Sequence, residues 1–476
     1  MLPLTDLFSS HTGQAGPTLE ALPSSGSNRK YFRLSTDQIS LIGVYGESRE
    51  ENHAFIHLAN HFLTQGLNVP KVVAVSADEL FYLQEDLGDT VLFDLIRGGR
   101  ATGVFSHEEK ELLHKTISHL ADFQYLGARG LDFSICYPLP AFNHRSVMWD
   151  LNYFKYSFLK TTGMDFREDL LENDFEKMAG LLLKDPTDTF MYRDFQSRNV
   201  MLVDGNPYFI DFQGGRKGPV YYDVASFLWQ AKAGFPAELR DELITTYIAS
   251  LKKFRPVDEA SFLKQLRQFV LFRTLQVLGA YGFRGYFEKK PHFIQSVPFA
   301  LNNLRELLKD GFDEYPYLSR ILHEMTNLKQ FADTRKRELE VRVYSFAYKK
   351  GVPDDQSGNG GGYIFDCRAI NNPGKYERYN NVTGLDEPVI KFLEEDGEIV
   401  TFLDTLYPLI DQHVKRYQER NFTNLMISFG CTGGQHRSVY AAQRMAEHIS
   451  GKFGVKVSLI HREQNLEQEF RKRNSF

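Results

Sequence analysis

Asp194 and Asn199 stand with four residues between them, and Asp211 follows Asn199 by twelve positions. Transfer of a phosphoryl group from Mg-ATP needs such a set: a carboxylate to orient the attacking hydroxyl, plus an amide oxygen and a second carboxylate to hold Mg²⁺ on the phosphates. The segment opens Tyr192-Arg193-Asp194 and closes Ile210-Asp211-Phe212-Gln213, which fits R-D-x-x-x-x-N followed by a metal-binding Asp, with Tyr192 where a supporting His is usual. Any one Asp or Asn could simply cap a turn. Three correct residue types at this spacing favour phosphoryl transfer. Between Asn199 and Asp211 two short strands are predicted, Val200–Val203 and Tyr208–Asp211, joined by a Gly-Asn-Pro turn.

A second constellation is Cys431-Thr432-Gly433-Gly434-Gln435-His436-Arg437-Ser438, between a predicted strand, Leu425–Phe429, and a predicted helix, Arg437–Ile449. Glycines at such a junction let backbone N–H groups converge on an anion, and Arg437 adds a bidentate partner. The spacing also equals C-x5-R followed by Ser, in which a thiolate attacks a phosphoester. Gly430 precedes the cysteine where that class has His, and no general acid is placed. Binding without turnover is therefore favoured, the bland alternative being a tight turn beside a small buried thiol.

With 476 residues and about 150 residues per domain, the chain has room for about three bodies. A hydrophobic share of 42% and a charged share of 25% exclude wholesale disorder. The net charge of -5 gives no support to a chain that coats nucleic acid or an anionic membrane over its whole surface. Cys136, Cys367 and Cys431 draw no disulfide framework, and reduced thiols in the cytoplasm are expected. MLPLTDLFSS lacks an export signal, and no segment approaches the roughly 18 apolar residues of a membrane span.

Strands are expected at KYFRLS, where apolar and polar residues interleave, and at Ile39–Tyr45, Val69–Val75 and Leu80–Gln84, with a helix over Glu50–Leu63 and helical periodicity from Phe93 to about Leu120. The strand-rich body ends near Glu85–Asp89, and a mainly helical one continues to about Lys329. From Val341 strands (Val341–Tyr348, Tyr363–Arg368, Leu425–Phe429, Val455–Ile460) alternate with helices (Asp386–Leu393, Ile399–Tyr417, Arg437–Ile449), which is α/β order. The expected domains are 1–87, 88–335 and 341–476.

Across most of residues 20–330 the chain resembles the aminoglycoside-phosphotransferase-like kinases, specifically the anomeric N-acetylmuramate/N-acetylglucosamine kinases of the AmgK type. The resemblance rests on SGSNRKYFRL, LNVPKVVA, LQEDLGD, YRDFQSRNVML, FIDFQGGRKGPVYYDVASFL and FRTLQVLGAYGF. It implies an α+β bilobal protein-kinase-like fold, a strand-rich nucleotide lobe before a helical catalytic lobe, and ATP with Mg²⁺ as cofactors. It also implies Asp194 as base, Asn199 and Asp211 as metal ligands, and Arg193 and Asp223 as braces of the loop. Gly26, Ser27 and Arg33 would meet the phosphates, and Glu85 and Leu87 the adenine. The strand ISLIGVY has no lysine where kinases pair the phosphates, so Arg29, Lys30 or Arg33 is left to supply that charge.

From Val341 to about Arg462 the chain looks like the carboxy-terminal domain of the RapZ family of RNase adapters. YSFAYKKGVP, YIFDCRAINNP, TGLDEPV and GCTGGQHRSVYAA carry this resemblance. It implies an α/β domain binding glucosamine-6-phosphate through Cys431, Thr432, Gly433, Gly434, His436 and Arg437, with Asp366 and Arg368 nearby. RNA ranks below the phosphosugar, since only Arg471-Lys472-Arg473 and His461-Arg462 speak for it. No membrane partner is expected. Together these resemblances imply an amino-sugar kinase of peptidoglycan recycling with a phosphosugar-sensing domain. Its rivals are an RNA-binding adapter with a nucleotide-binding pseudokinase, and a C-x5-R phosphatase.

Overall fold

The computed structural model describes residues 2–22, 29–328, 331, 339–355, 357, 361–419 and 422–470. The chain divides into two compact units, Met1–Ala332 and Asp333–Phe476. Among the described residues no helix is long and apolar enough to cross a membrane.

Unit 1 opens with α1 (Leu2–Thr12), β1 (Thr18–Leu22), β2 (Lys30–Ser35), β3 (Ser40–Tyr45), α2 (Arg49–Thr64), β4 (Val72–Val75) and β5 (Phe81–Glu85). The strands form one antiparallel sheet in the order β1-β2-β3-β5-β4. Period-2 alternation divides its side chains between two faces. Phe32, Leu34, Leu41 and Leu83 close on Leu4 and Phe8 of α1, while Ile42, Val44 and Tyr82 join Phe55 and Phe62 of α2. Neither α1 nor β1 was expected from the sequence. Ser48 caps α2 by accepting the Glu51 amide at 3.2 Å, with Glu50 and Glu51 in the first turn, where acidic residues suit the helix dipole.

The helical part of unit 1 runs through α3 (Leu92–Leu95), α4 (Arg97–Thr102), α5 (His107–Ser118), α6 (Leu120–Tyr125), α7 (His144–Phe154) and α8 (Glu168–Leu182). The single helical stretch expected to Leu120 is thus broken, with Gly103 in a left-handed conformation closing α4 at φ 78°. Next come β6 (Thr189–Met191), β7 (Val200–Val203), β8 (Asn206–Phe209), β9 (Arg216–Gly218) and α9 (Tyr221–Leu228). α10 (Ala237–Leu251), α11 (Glu259–Gly282), α12 (Pro291–Ile294), α13 (Val297–Leu308) and α14 (Pro316–Thr326) complete the unit. The β7–β8 turn is Asp204-Gly205, both at positive φ, rather than Gly-Asn-Pro. β8 stops at Phe209, because Asp211 turns left-handed at φ 67° and leaves the ladder.

α11 crosses α7 closely at Gly279, where an added Cβ would stand 2.8 Å from the Phe154 backbone nitrogen. A π-helical turn, Lys155–Leu159, follows α7, and a second, Phe283–Phe287, follows α11.

Unit 2 contains β10 (Glu340–Ala347), β11 (Tyr363–Asp366), α15 (Glu387–Asp396), α16 (Glu398–Glu419), β12 (Asn424–Cys431), α17 (Arg437–Lys452), β13 (Lys456–His461) and β14 (Leu466–Phe470). The order is β11-β12-β10-β13-β14, parallel except for the β13–β14 pair. The sheet order reverses at β10, and the carboxyl ends of β10, β11 and β12 lie together, where open α/β sheets bind ligands. β14 was not expected.

Gly279→Val should cost about 1–3 kcal/mol, since the backbone it meets cannot step aside. The melting temperature read by circular dichroism should fall by a few degrees; an unchanged value would show slack in the α7–α11 crossing.

Candidate active site and anion loop

Between β6 and β7 the chain bends so that Asp194 is exposed while Tyr192, Phe195 and Asn199 are buried. Arg193 adopts φ 77°, a left-handed conformation that costs a non-glycine residue about 1–2 kcal/mol. Asp223, fully buried on the first turn of α9, accepts both the Tyr192 and the Arg193 amides at 2.8 Å. Burial pushes the Asp223 carboxyl up to about 7, against the pull of those two amides. The Arg193 guanidinium makes a two-pronged contact with Asp150 of α7, at 2.8 and 3.4 Å. The Tyr192 hydroxyl donates to the Ile210 carbonyl at 2.6 Å, so the residue standing in for His ties this loop to the segment before Asp211.

Asn199 Nδ2 donates to the Asp194 carbonyl at 2.8 Å and to Asp211 Oδ2 at 3.2 Å. Gln213 Nε2 donates to Asp211 Oδ1 at 2.8 Å. Burial, then the charge of Asp194, raises the Asp211 carboxyl above its ordinary value. The structure therefore brings Asp194, Asn199 and Asp211 together. Among the described residues no group of three or more His, Cys, Asp or Glu side chains can hold a metal by itself. One carboxylate and one amide oxygen suit a hard cation that takes its remaining ligands from phosphate and water. A cation would also relieve the crowding of Asp211 and Asp194, so the donor set fits a divalent metal.

Arg273 is a site residue the sequence reading missed. Its Nη2 lies 3.6 Å from Asp194 Oδ1, and its Nε donates to Ser226 at 3.2 Å. Both the Arg193 and Arg273 guanidinium groups lie over the Tyr222 ring. The available signal was a lone Arg within the apolar run Phe269–Leu275 of α11. Near Asp194, beyond Arg273, opens a small cleft lined among others by Gln196, Arg198, Trp229, Arg273, Tyr281 and Asn303. Burial, then the charges of Arg198 and Arg100, pushes the Lys232 ammonium below its ordinary value. His292 is lowered by burial, then by Lys232, Lys290, Arg198 and Arg284. The field at this side of the site is positive.

Other expected nucleotide residues fare differently. Gly26 and Ser27 lie outside the described residues. Arg33 is locked to Asp86 at 2.7 Å and to Asp89 at 2.7 Å, which leaves its charge already matched. The Glu85 amide donates to the Lys71 carbonyl at 2.9 Å. Leu87 lies half-buried just past β5.

In unit 2, Asp366, Arg368 and Cys431–Arg437 gather at the carboxyl ends of β11 and β12. Thr432 and Gly433 are exposed, and Gly434 is left-handed at φ 65°. Arg437 Nη1 donates to the Arg368 and Ile370 carbonyls at 2.9 and 2.6 Å. His436 meets the Tyr379 carbonyl at 2.9 Å. Asp366 and Arg368 pair with each other at 2.7 Å, with the guanidinium over Tyr348. Cys431 Sγ accepts the Gly434 amide at 3.2 Å and meets Ser438 Oγ at 3.1 Å. Burial opposes ionisation of this thiol, but Ser438, Gly434 and Arg437 outweigh it and bring it below its ordinary value. For RNA, His461 is fully buried and lowered to about 4 by burial, Arg462 pairs with Glu463, and Arg471–Arg473 lie outside the described residues.

Residues 18–257, just over half of the chain, match the phosphotransferase enzyme family, and residues 339–465 match the RapZ C-terminal domain. A nucleotide-binding protein of Xylella fastidiosa strain M23 is 34% identical over 178 residues, 36% of this chain and 60% of its own length. The RNase adapter protein RapZ of Yersinia pseudotuberculosis is 34% identical over 143 residues, 30% of this chain and 48% of its own. The chain therefore spans between about half and 60% of the length of these curated relatives. Among solved structures, the choline kinase LicA of Streptococcus pneumoniae aligns with TM-score 0.45 and 13% identity over 64% of this chain and 98% of that one. The choline kinase of Cryptosporidium parvum Iowa II aligns with TM-score 0.43 and 12% identity over 64% and 93%.

Asp223→Asn leaves one oxygen for two buried amides, so it should destabilise the loop by about 1–3 kcal/mol and lower kcat. A carboxyl raised in the folded state binds more protons there than in the unfolded chain. Wild-type stability should thus fall as pH rises from its ordinary carboxylate range to about 7, and level off above. Denaturant unfolding at stepped pH checks both; the same slope in Asp223→Asn would remove Asp223 as its source.

Proposed function

The chain belongs to the phosphotransferase enzyme family, and on that premise we propose that it transfers the ATP γ-phosphoryl group to the anomeric hydroxyl of an N-acetylated amino sugar, N-acetylmuramate or N-acetylglucosamine. It is an ATP-dependent phosphotransferase with an alcohol group as acceptor, and it works with ATP and a divalent metal. The observation that carries the acceptor reading is the positive cleft near Asp194, with Arg198 and Arg273 in its wall and Lys232 and His292 within reach of the Arg198 charge. A polycationic aminoglycoside or a quaternary ammonium would meet like charge there. N-acetylmuramate brings a carboxylate, and N-acetylglucosamine no charge. Peptidoglycan recycling is the setting in which such sugars need a 1-phosphate.

In this reading Arg273 holds Asp194 by Oδ1, leaving Oδ2 to orient the acceptor hydroxyl and receive its proton as the oxygen attacks the γ-phosphorus. Asn199 and Asp211 would hold Mg²⁺, which when bound neutralises phosphate charge. Asp223 and Arg193 keep Asp194 facing outward, and the buried aromatics beneath keep the loop from shifting with solvent.

The RapZ C-terminal domain is read as the binder of an amino-sugar phosphate at the exposed Thr432-Gly433 tip, with Asp366 and Arg368 beside it. Arg437 supports the site by pinning the Arg368 and Ile370 carbonyls.

Purified protein with ATP should release ADP when given N-acetylmuramate, and Asp194→Asn should abolish this while melting like the wild type. Arg198→Glu should lower kcat/KM for N-acetylmuramate about tenfold or more, and for N-acetylglucosamine less. Turnover of kanamycin or choline with neither sugar would overturn the acceptor reading. Calorimetry of the full chain with glucosamine-6-phosphate should give heat that Arg368→Ala weakens; Arg437→Ala is a poor control because it removes a structural tie. No heat with the wild type would retire the phosphosugar site.

A further inference from the structure

An acceptor that presents its anomeric hydroxyl to Asp194 carries its acetamido group on the adjacent ring carbon, so the acetyl must be housed close beside the reacting oxygen. The small cleft beyond Arg273 lies at that place: Arg273 is in its wall, and the Arg273 Nη2 is 3.6 Å from Asp194 Oδ1. We propose that this cleft takes the acetamido group and is where the enzyme tells an N-acetylated sugar from a plain one; the inference rests on the amino-sugar reading above.

The lining divides by chemistry. Val277, Ala300 and the half-buried Trp229 ring give a methyl group a place out of water. The indole is fixed by Arg240, whose guanidinium lies 5.1 Å from the ring centre and pairs with Glu306 at 2.9 Å. Asn303 Nδ2 donates to the Trp229 carbonyl at 3.1 Å, which leaves Oδ1 to accept the amide N–H of the ligand. Gln196, two residues after Asp194, bonds no described residue through its side chain and is left to donate to the acetyl oxygen. Two further polar groups of the wall are already committed. Thr274 Oγ1 donates to the Val270 carbonyl at 2.7 Å, and Gln230 Oε1 accepts from Ser197 Oγ at 2.8 Å.

Other occupants match this lining less well. A carboxylate alone would leave the apolar part of the cleft unused, and a quaternary ammonium would meet Arg198 and Arg273. The lactyl group of muramate has both a methyl and a carboxylate, but it sits one ring carbon further from the reacting hydroxyl.

Steady-state ADP release by the full chain is followed with N-acetylglucosamine, N-acetylmuramate and glucose, for wild type, Val277→Phe and Asn303→Ala, each checked by melting curve. Wild type should prefer N-acetylglucosamine to glucose at least about tenfold in kcat/KM. Val277→Phe, which fills the cleft from a half-buried position, should raise KM for both N-acetylated sugars at least about tenfold and leave KM for ATP unchanged. Asn303→Ala should raise the same two constants by a smaller factor. Equal use of glucose and N-acetylglucosamine by wild type, or an unchanged KM for N-acetylglucosamine in either folded variant, would overturn the proposal. A rise for N-acetylmuramate alone would assign the cleft to the lactyl group and overturn it as well. Should Val277→Phe not fold, the milder Val277→Leu is read by the same criteria. A wild type that phosphorylates neither N-acetylated sugar would instead sink the acceptor reading itself.

Discussion

The catalytic loop depends on one buried carboxylate. For Asp194 to face outward from the end of β6, the backbone at Tyr192 and Arg193 must bend through a left-handed residue, and the bend turns two amides into the protein. Left unpaired, each would cost about 1–3 kcal/mol, enough to favour a different bend. Asp223 accepts both, and its place on the first turn of α9 sets a negative charge where a helix dipole favours one. Desolvation works against this arrangement, as the raised carboxyl shows, so the loop geometry is maintained by specific hydrogen bonds against an unfavourable burial term. Asp150 then fixes the Arg193 side chain, and Tyr222 carries both Arg193 and Arg273 on its ring. Arg273 in turn reaches Asp194, so the outward carboxylate and its brace are linked through side chains on α7, α9 and α11.

The aromatic richness of the chain has a related consequence. Phe212, next to Asp211, stacks on Phe55 at 4.8 Å and meets Phe62 edge-on at 5.2 Å. Glu51 and Phe55 are four apart on α2 and so share a face. One contacts Gln213 and the other Phe212, the two residues after Asp211. A polar and an apolar contact from the same helix face thereby hold the left-handed turn at Asp211. A shift of α2 would move Asp211 and Glu51 together, which keeps the distance between the metal-side carboxylate and the strand lobe from drifting.

The parts legible in the sequence were those whose chemistry is local. Asp194, Asn199 and Asp211 lie within one short stretch, β2 alternates along its length, and β3 and β5 are short apolar runs bounded by turns, so spacing and local pattern were sufficient. Asp223 came through resemblance, since its partners lie some thirty positions earlier and no local pattern announces them. Strand alternation could not tell Arg29, Lys30 and Arg33 apart, because what distinguishes them is their partners on other elements: Glu51 for Arg29, and Asp86 and Asp89 for Arg33. Arg273 was hidden in the mostly apolar middle of α11, among other polar positions of the same helix that stay at the surface, so its burial shows only once the fold is formed. α1 was missed because the sheet face it covers is completed only once β2, β3 and β5 are paired.

The anion loop of unit 2 illustrates how spacing and geometry can part company. C-x5-R-S predicts a thiolate beneath a phosphate clamped by arginine. The lowered thiol is present, yet one nitrogen of the Arg437 guanidinium, Nη1, bonds two backbone carbonyls, and the Gly434 amide is directed at sulfur. Cys431 is 3% exposed, near the fully buried Cys367, which follows β11 and donates its amide to the Gly430 carbonyl at 2.8 Å. A nucleophile needs an approach line to phosphorus; here the sulfur lies under the loop and serves as an acceptor for it. The same hydrogen bonds that depress the thiol thus shape the glycine turn, and they leave only its Thr432-Gly433 tip exposed to a ligand.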